Sequence, residues 1–269
     1  MNLHAQETVY LNSDSEITNS KETIIEHAVI HKNENGKGYT IDFFDMNGIL
    51  LRTSQYSKFG KTPDKQILYG KTNYKFFGSA QDSLVCYYRN NLRTGSATFY
   101  YADGKKHVEC AYKQGMLDGL LLQYYPNDSI KRKDIYKKGI ATATTIYSEE
   151  GEMLGNSPFY VPPTAPSTDI ATIVKEFAQA IKLPTSIWKK AGVWEVFVEI
   201  TFDAEGKMGK VRVLESNHPG LIKPSIHAAT EVFQSKTFKP ATMDRQPVRS
   251  SIILPVRYRV ESVRVTTPK

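Results

Sequence analysis

Six histidines, two cysteines and a scatter of carboxylates are the side chains of this chain that could do chemistry. A metal site needs such groups at converging spacing. His27 and His31 stand four apart, but Ala28-Val29-Ile30 between them lacks the glutamate of a metalloprotease motif, and the segment alternates like a strand. These two, with His4, His107, His218 and His227, read as solvated or hydrogen-bonded side chains and not as metal ligands. Gly60-Lys61-Thr62 and Gly70-Lys71-Thr72 each end like a phosphate-binding loop, yet the glycine required five positions earlier is Gln55 in one and Lys65 in the other. Asp203 and Glu205 are turn carboxylates two apart, solvated and not paired for acid-base work. Local signatures of a Ser/His/Asp set, a Cys/His set or a dinucleotide fingerprint are missing. The expectation is therefore no enzyme, no cofactor and no metal site, which turns the question to what the chain binds.

The 269 residues suit two domains, and 40% hydrophobic residues suffice for a core in each. No run of 18 apolar residues occurs, so no transmembrane helix is expected. Net charge is +7, and residues 184–269 hold fourteen Lys/Arg against eight Asp/Glu. That asymmetry favours an acidic partner or an anionic surface, whereas the lack of a basic helix or a recognised motif speaks against nucleic acid.

The elements that must position any binding site are clearest from Leu183 to Val260. Val193–Phe202 alternates, with Trp194, Val196, Val198, Ile200 and Phe202 on one face and Glu195, Glu199 and Thr201 on the other. Asp203-Ala-Glu-Gly206 supplies a turn, and Met208–Glu215 returns as the second arm of a hairpin. From Leu221 to Gln234 the period becomes helical, with Ile222, Ile226, Ala229 and Phe233 on one stripe. Val248–Val260 is a last strand with Val248, Ile252, Leu254, Val256, Tyr258 and Val260 on one face and Arg249, Arg257 and Arg259 on the other. Pro255 within it argues for an edge position, because proline cannot donate to a ladder. The three arginines either protect that edge from indiscriminate pairing or also select an acidic peptide.

This order of hairpin, helix, the Phe238-x-Pro240-Ala241 corner and a closing apolar strand resembles the C-terminal domain of the TonB family of periplasmic energy transducers, over about residues 177–262. Leu183-Pro184 stands where the family usually has Tyr-Pro, and Ala191-Gly192-Val193-Trp194 where a G-x-x-G turn is usual. The resemblance implies an α+β fold, β-β-α-β, with one helix on an antiparallel sheet. It also implies binding by strand addition, in which a partner's extended segment pairs with an open sheet edge. The residues expected to meet that segment are Ser250, Ile252, Ile253, Leu254, Val256, Arg257, Tyr258 and Arg259. The expected partner is an outer-membrane or envelope protein, and pairing of the same edge with a second copy would give a homodimer. Leu3-His-Ala-Gln-Glu7 is similar to the residues around a signal cleavage site, with the signal peptide removed. Together with the resemblance it implies the periplasm or cell envelope of a Gram-negative bacterium.

The first half repeats itself. Phe76-Phe77, Tyr100-Tyr101 and Tyr124-Tyr125 recur at a spacing of 24, as do Tyr88, Tyr112 and Tyr136, and Asn91, Gly115 and Gly139. Each unit reads as a hairpin too small to bury its own face, so stacked copies share a core. The pattern resembles MORN-type repeats over about residues 39–155, which implies a mainly β part made of antiparallel hairpins in a single long sheet. Cys86 and Cys110 occupy equivalent positions. One strand between them puts them about 9.6 Å apart, beyond the roughly 7 Å a disulfide spans, so two buried free thiols are expected. An envelope scaffold with the repeat sheet as its working surface, and the C-terminal domain docking or dimerising, is the alternative to peptide capture.

The expected organisation is an N-terminal segment at 1–22, the repeat domain at 23–158, a Pro-rich linker at 159–168 and the C-terminal domain at 169–269. A helix capped by Ser167 or Thr168, with Ile170, Ile173, Val174, Phe177 and Ile181 on its apolar stripe, leads into the last of these. It should pack on the strands that follow it or on the repeat sheet.

Overall fold

The structure, a computed structural model, describes residues 7–188 and 191–261. Residues 1–6, which carry most of the cleavage-like sequence, and the end of the expected C-terminal domain beyond residue 261 lie outside the described residues. Two compact units divide between Pro158 and Phe159.

The first unit is a 13-stranded antiparallel sheet among the described residues. Its strands are β1 (Glu7–Asn12), β2 (Ile24–Lys32), β3 (Tyr39–Asp45), β4 (Leu50–Lys58), β5 (Ile67–Lys75), β6 (Asp82–Arg89), β7 (Leu92–Tyr100), β8 (Lys106–Lys113), β9 (Met116–Leu117), β10 (Gly119–Tyr124), β11 (Ile130–Lys137), β12 (Ile140–Tyr147) and β13 (Met153–Gly155). Each pairs with the next in sequence, except that β8 pairs with β10 and carries β9 as a side branch. The N-terminal segment is not separate from this sheet: β1 pairs along β2, and Leu11 is fully buried among Ala28, Ile41, Phe43 and Tyr56.

The 24-residue spacing has a bond-by-bond basis. At each hairpin tip Ser79, Asp103 or Asn127 accepts from the backbone N–H two residues on, at 3.0 Å in all three. The hydroxyls of Tyr101 and Tyr125 donate to the carbonyls of Tyr124 and Tyr147 in the following hairpin, at 2.7 and 2.9 Å. Tyr88, Tyr112 and Tyr136 each lie cross-strand from a glycine, Gly70, Gly95 and Gly119. Gly70 and Gly119 sit at φ near 118° and 116°, which a β-branched or bulky residue would hold only under strain.

Cys86 and Cys110 point to the inner face with Ala97 of β7 between them. Burial pushes both thiols up, that of Cys110 to about 12. Arg52 on the same face donates both Nη atoms to Glu26 at 3.1 Å and lies 3.7 Å from the Phe43 ring centre, so its buried charge is paired and stacked.

In the second unit, β14 (Tyr160–Val161) precedes α1 (Ile170–Ala180), α2 (Thr185–Trp188), β15 (Gly192–Phe202), β16 (Met208–Ser216), α3 (Ile222–Gln234), β17 (Ala241–Met243), β18 (Gln246–Val248) and β19 (Ser250–Val260). Two three-stranded sheets form, in the orders β14-β17-β18 and β16-β15-β19. The stretch read from composition as a linker is thus hydrogen-bonded structure: Tyr160 and Val161 pair with Met243 and Thr242, and Thr164 bridges Lys239. The helix cap is Asp169, neither Ser167 nor Thr168; its carboxylate accepts from the Thr172 N–H at 2.9 Å. Ile173 and Phe177 of α1 are buried in the same core as Val196, Val198, Ile200, Phe233 and Leu254.

Two outcomes test this packing. Gly206 sits at φ 85° in the β15–β16 turn, where a Cβ would collide with the Phe238 carbonyl and come within 2.9 Å of the Pro240 nitrogen. Gly206→Ala should therefore cost about 2 kcal/mol or more in a urea titration; an unchanged midpoint refutes the close approach. Raised thiol pKa values mean little thiolate at about pH 8, so Cys86 and Cys110 should label with a thiol reagent only after unfolding. Rapid labelling of the native protein contradicts their burial.

Candidate partner-binding edge

β15 is the spine of the second unit's larger sheet. Its inner face, Val196, Val198, Ile200 and Phe202, packs under α1 and α3 because every second residue is apolar and β-branched or aromatic. Asp203 shapes the turn that follows: its Oδ1 accepts from the N–H groups of Glu205 and Lys207 at 3.1 and 2.7 Å. That carboxylate organises the turn. On one side β16 pairs with two breaks in register, around Phe197/Val198 and Ile200/Phe202. On the other side β19 pairs residue for residue from Gly192↔Val260 to Phe202↔Ser250, with no irregularity, and it ends the sheet.

The eight residues singled out from sequence fall on this strand. Ile252, Leu254, Val256 and Tyr258 face the core. The Tyr258 hydroxyl donates to the Ala178 carbonyl of α1 at 2.8 Å, and burial pushes it up to about 12. Ile253, Arg257 and Arg259 face the other way, cross-strand from Glu199, Glu195 and Val193. Ser250 begins the strand opposite Phe202.

The outer face is more ordered than its sequence indicated. Arg257 donates from Nε to Glu195 Oε1 at 2.7 Å, and Arg212 of β16 pairs with Glu199. Between these two ion pairs lies Phe197, cross-strand from Pro255 and 6% exposed. The alternation rule placed Phe197 on the polar side and gave no reason to expect it buried; its aromatic identity amid Glu195 and Glu199 was the available signal.

The single strand expected over Val248–Val260 is divided. Val248 belongs to β18, and Arg249 lies between the two strands, so it does not share a strand face with Arg257 and Arg259. The division comes from Asp244-Arg245, which turn back at φ 47° and 69° and make β17–β18 a tight hairpin. Asp-Arg is not the Asn-Gly or Asp-Gly pair that announces such a turn.

Three of the described histidines have structural contacts. His31 contacts Asp42 at 3.1 Å, His27 stacks on Phe44 at 5.1 Å, and His218 Nδ1 accepts from the Gly220 N–H at 3.1 Å. Among the described residues no group of three His, Cys, Asp or Glu converges as a metal site would require.

Residues 194–260 match the family model described as Gram-negative bacterial TonB protein C-terminal. The matched segment runs from β15 through β19 and leaves the repeat sheet outside it. No curated protein matches the chain. The segment 194–260 is therefore similar to a non-enzymatic domain type that interacts with other proteins and is linked to outer-membrane transport in the Gram-negative envelope. No described helix is long and apolar enough to cross a membrane.

The outer face makes a contrast in stability measurable. Phe197→Ala should cost about 3 kcal/mol, as a buried aromatic does. Arg257→Ala removes a pair whose side chains are 68% and 35% exposed and should cost less than about 1 kcal/mol. Equal losses in chemical denaturation would contradict the burial assigned to Phe197.

Proposed function

We propose that the TonB-like unit captures an extended segment of an outer-membrane or other envelope protein by adding it as a strand to β19, and that the protein works in the periplasm of a Gram-negative cell. The observation that carries this reading is the terminal strand itself, eleven residues long and paired in unbroken register, whereas β16 at the sheet's other side pairs with two register shifts. A regular edge offers evenly alternating donors and acceptors to an incoming backbone, and a bulged one does not.

Pro255 supports the direction of the vacant bonds. Its nitrogen carries no hydrogen, so it is accommodated where that nitrogen faces away from β15. Backbone direction alternates along a strand, and Ser251, Ile253, Arg257 and Arg259 then face the open side as well. Side-chain chemistry supports the partner class. Arg257 is held by Glu195, whereas Arg259 lies opposite uncharged Val193 and is exposed, so an acidic residue in the added strand would sit best near Arg259. The tandem hairpins are read as MORN-like copies that space or present this module, a reading their 24-residue recurrence supports.

The same edge could also receive β19 of a second copy, because antiparallel self-pairing is isologous. In that second reading the repeat sheet becomes the working surface. Mass in solution separates the two, since a dimer closed through β19 leaves no edge for a peptide.

The test uses the full chain as wild type, Arg257→Ala and Arg257→Pro in retention assays with Gram-negative envelope extract. Arg257→Pro removes an open-side donor and should abolish retention of an outer-membrane transporter while the protein stays folded by circular dichroism. Arg257→Ala should keep it to within about tenfold, the scale of one exposed charge. Retention by a folded Arg257→Pro variant overturns strand addition at this edge.

A further inference from the structure

The last full copy of the repeat is turned inside out. Strands β7–β8 and β10–β11 pair in the same register, Ser96↔Ala111, Ala97↔Cys110, Thr98↔Glu109 and Phe99↔Val108 matching Leu120↔Ile135, Leu121↔Asp134, Leu122↔Lys133 and Gln123↔Arg132. On the inner face, Phe99, Val108 and Cys110 give way to Gln123, Arg132 and Asp134, all buried. Arg132 ties this cluster together: it donates to Gln123 Oε1 at 3.2 Å and to the Ser157 carbonyl, and lies 3.9 Å from Asp134 Oδ2. On the outer face, Ser96, Thr98 and Ala111 give way to Leu120, Leu122 and Ile135. Leu120 and Ile135 are 45% and 46% exposed, and Ile140 beside them is 55% exposed. The fold does not require this exchange, because the preceding copy makes the same ladder with small residues outside.

Charge on that face follows the same exchange. Glu109 becomes Lys133, cross-strand from Leu122 and Thr145. Lys113 and Lys137 lie cross-strand from Met116 and Ile140. Among the described residues these three lysines have no carboxylate partner. Glu109, the acid on the face, is held by Lys106 and by the Tyr124 hydroxyl, both at 2.7 Å. The result is a sheet face with leucine and isoleucine at its middle and ammonium groups around them.

We infer that the outer face of β10–β12 docks on an anionic lipid surface, with Leu120, Ile135 and Ile140 entering the headgroup region and Lys113, Lys133 and Lys137 meeting lipid phosphates. Charge complementarity selects this occupant. Face-to-face pairing with a second copy would set like lysines against each other. Protein interfaces are depleted in lysine, whereas anionic bilayers draw lysine singly while its stem lies along apolar surface. This face is separate from the β19 edge and stands whether or not that edge binds a peptide.

The preceding copy provides the control, since its residues are known to suit these positions. The full chain and a variant carrying Leu120→Ser, Leu122→Thr, Lys133→Glu and Ile135→Ala are floated with vesicles of phosphatidylcholine alone or with phosphatidylglycerol added. Wild type should bind the anionic vesicles, release as salt rises, and bind the neutral ones weakly. The variant, melting like wild type, should lose affinity by about tenfold or more. Absence of wild-type binding overturns the inference, as does equal binding by the variant. So does a wild-type dimer in solution that the variant abolishes, which would make the face a self-association surface.

Discussion

The C-terminal unit depends on one ladder, the eleven antiparallel pairs between β15 and β19. Its two strands lie about fifty residues apart in sequence, so the pairing closes a long loop and its entropy must be met by what the loop contains. The contents are suited to this. The β15–β16 hairpin is held by the Asp203 turn, α3 lays Ala228, Ala229 and Phe233 on the sheet, and Phe202, Phe233 and Phe238 stack at the hairpin's base. α1 arrives from outside the loop and is tied to β19 by Tyr258. With β15 central, the sheet has two edges, β16 and β19, and of these β19 is the one whose pairing with β15 runs without a break.

The repeat sheet is built on a different economy, in which nearest-neighbour hairpins supply one another's missing surface. Tyrosine over glycine, a side-chain turn at each tip and a hydroxyl reaching to the next hairpin recur because each copy meets the same local need. In the copy near the end of the array the inner face changes from apolar packing to the Gln123–Arg132–Asp134 cluster. A buried cluster of that kind gives specificity of partner more than strength. Here it fastens the segment at Ser157 that leads toward the second unit.

What was legible in the sequence was whatever repeats or alternates. The hairpin, α3 and the 24-residue period could be read because each rests on a periodicity the backbone imposes. The small β14-β17-β18 sheet could not, since its strands are two or three residues long and one lies in a proline-rich run whose composition signals a linker. The cap of α1 was displaced by one or two residues because Ser167, Thr168 and Asp169 are all competent and only tertiary placement chooses among them. Phe197 escaped because alternation assigns a face, and burial of the outer face depends on salt-bridged neighbours from two other strands. The chosen edge residues did fall on the terminal strand, but Arg249 was separated from them by a hairpin whose turn residues carry no sequence signature.

The shared register of successive copies bears on how such a chain can change over time. Because β7–β8 and β10–β11 superimpose position for position, duplication or loss of one 24-residue unit inserts or removes two strands without shifting any other pairing. Each event alters the sheet's width by about 9.6 Å, twice the strand spacing. Copy number therefore acts as a ruler with a fixed graduation, and the separation between whatever is held at the two ends of the array becomes a heritable length that selection can adjust in whole steps.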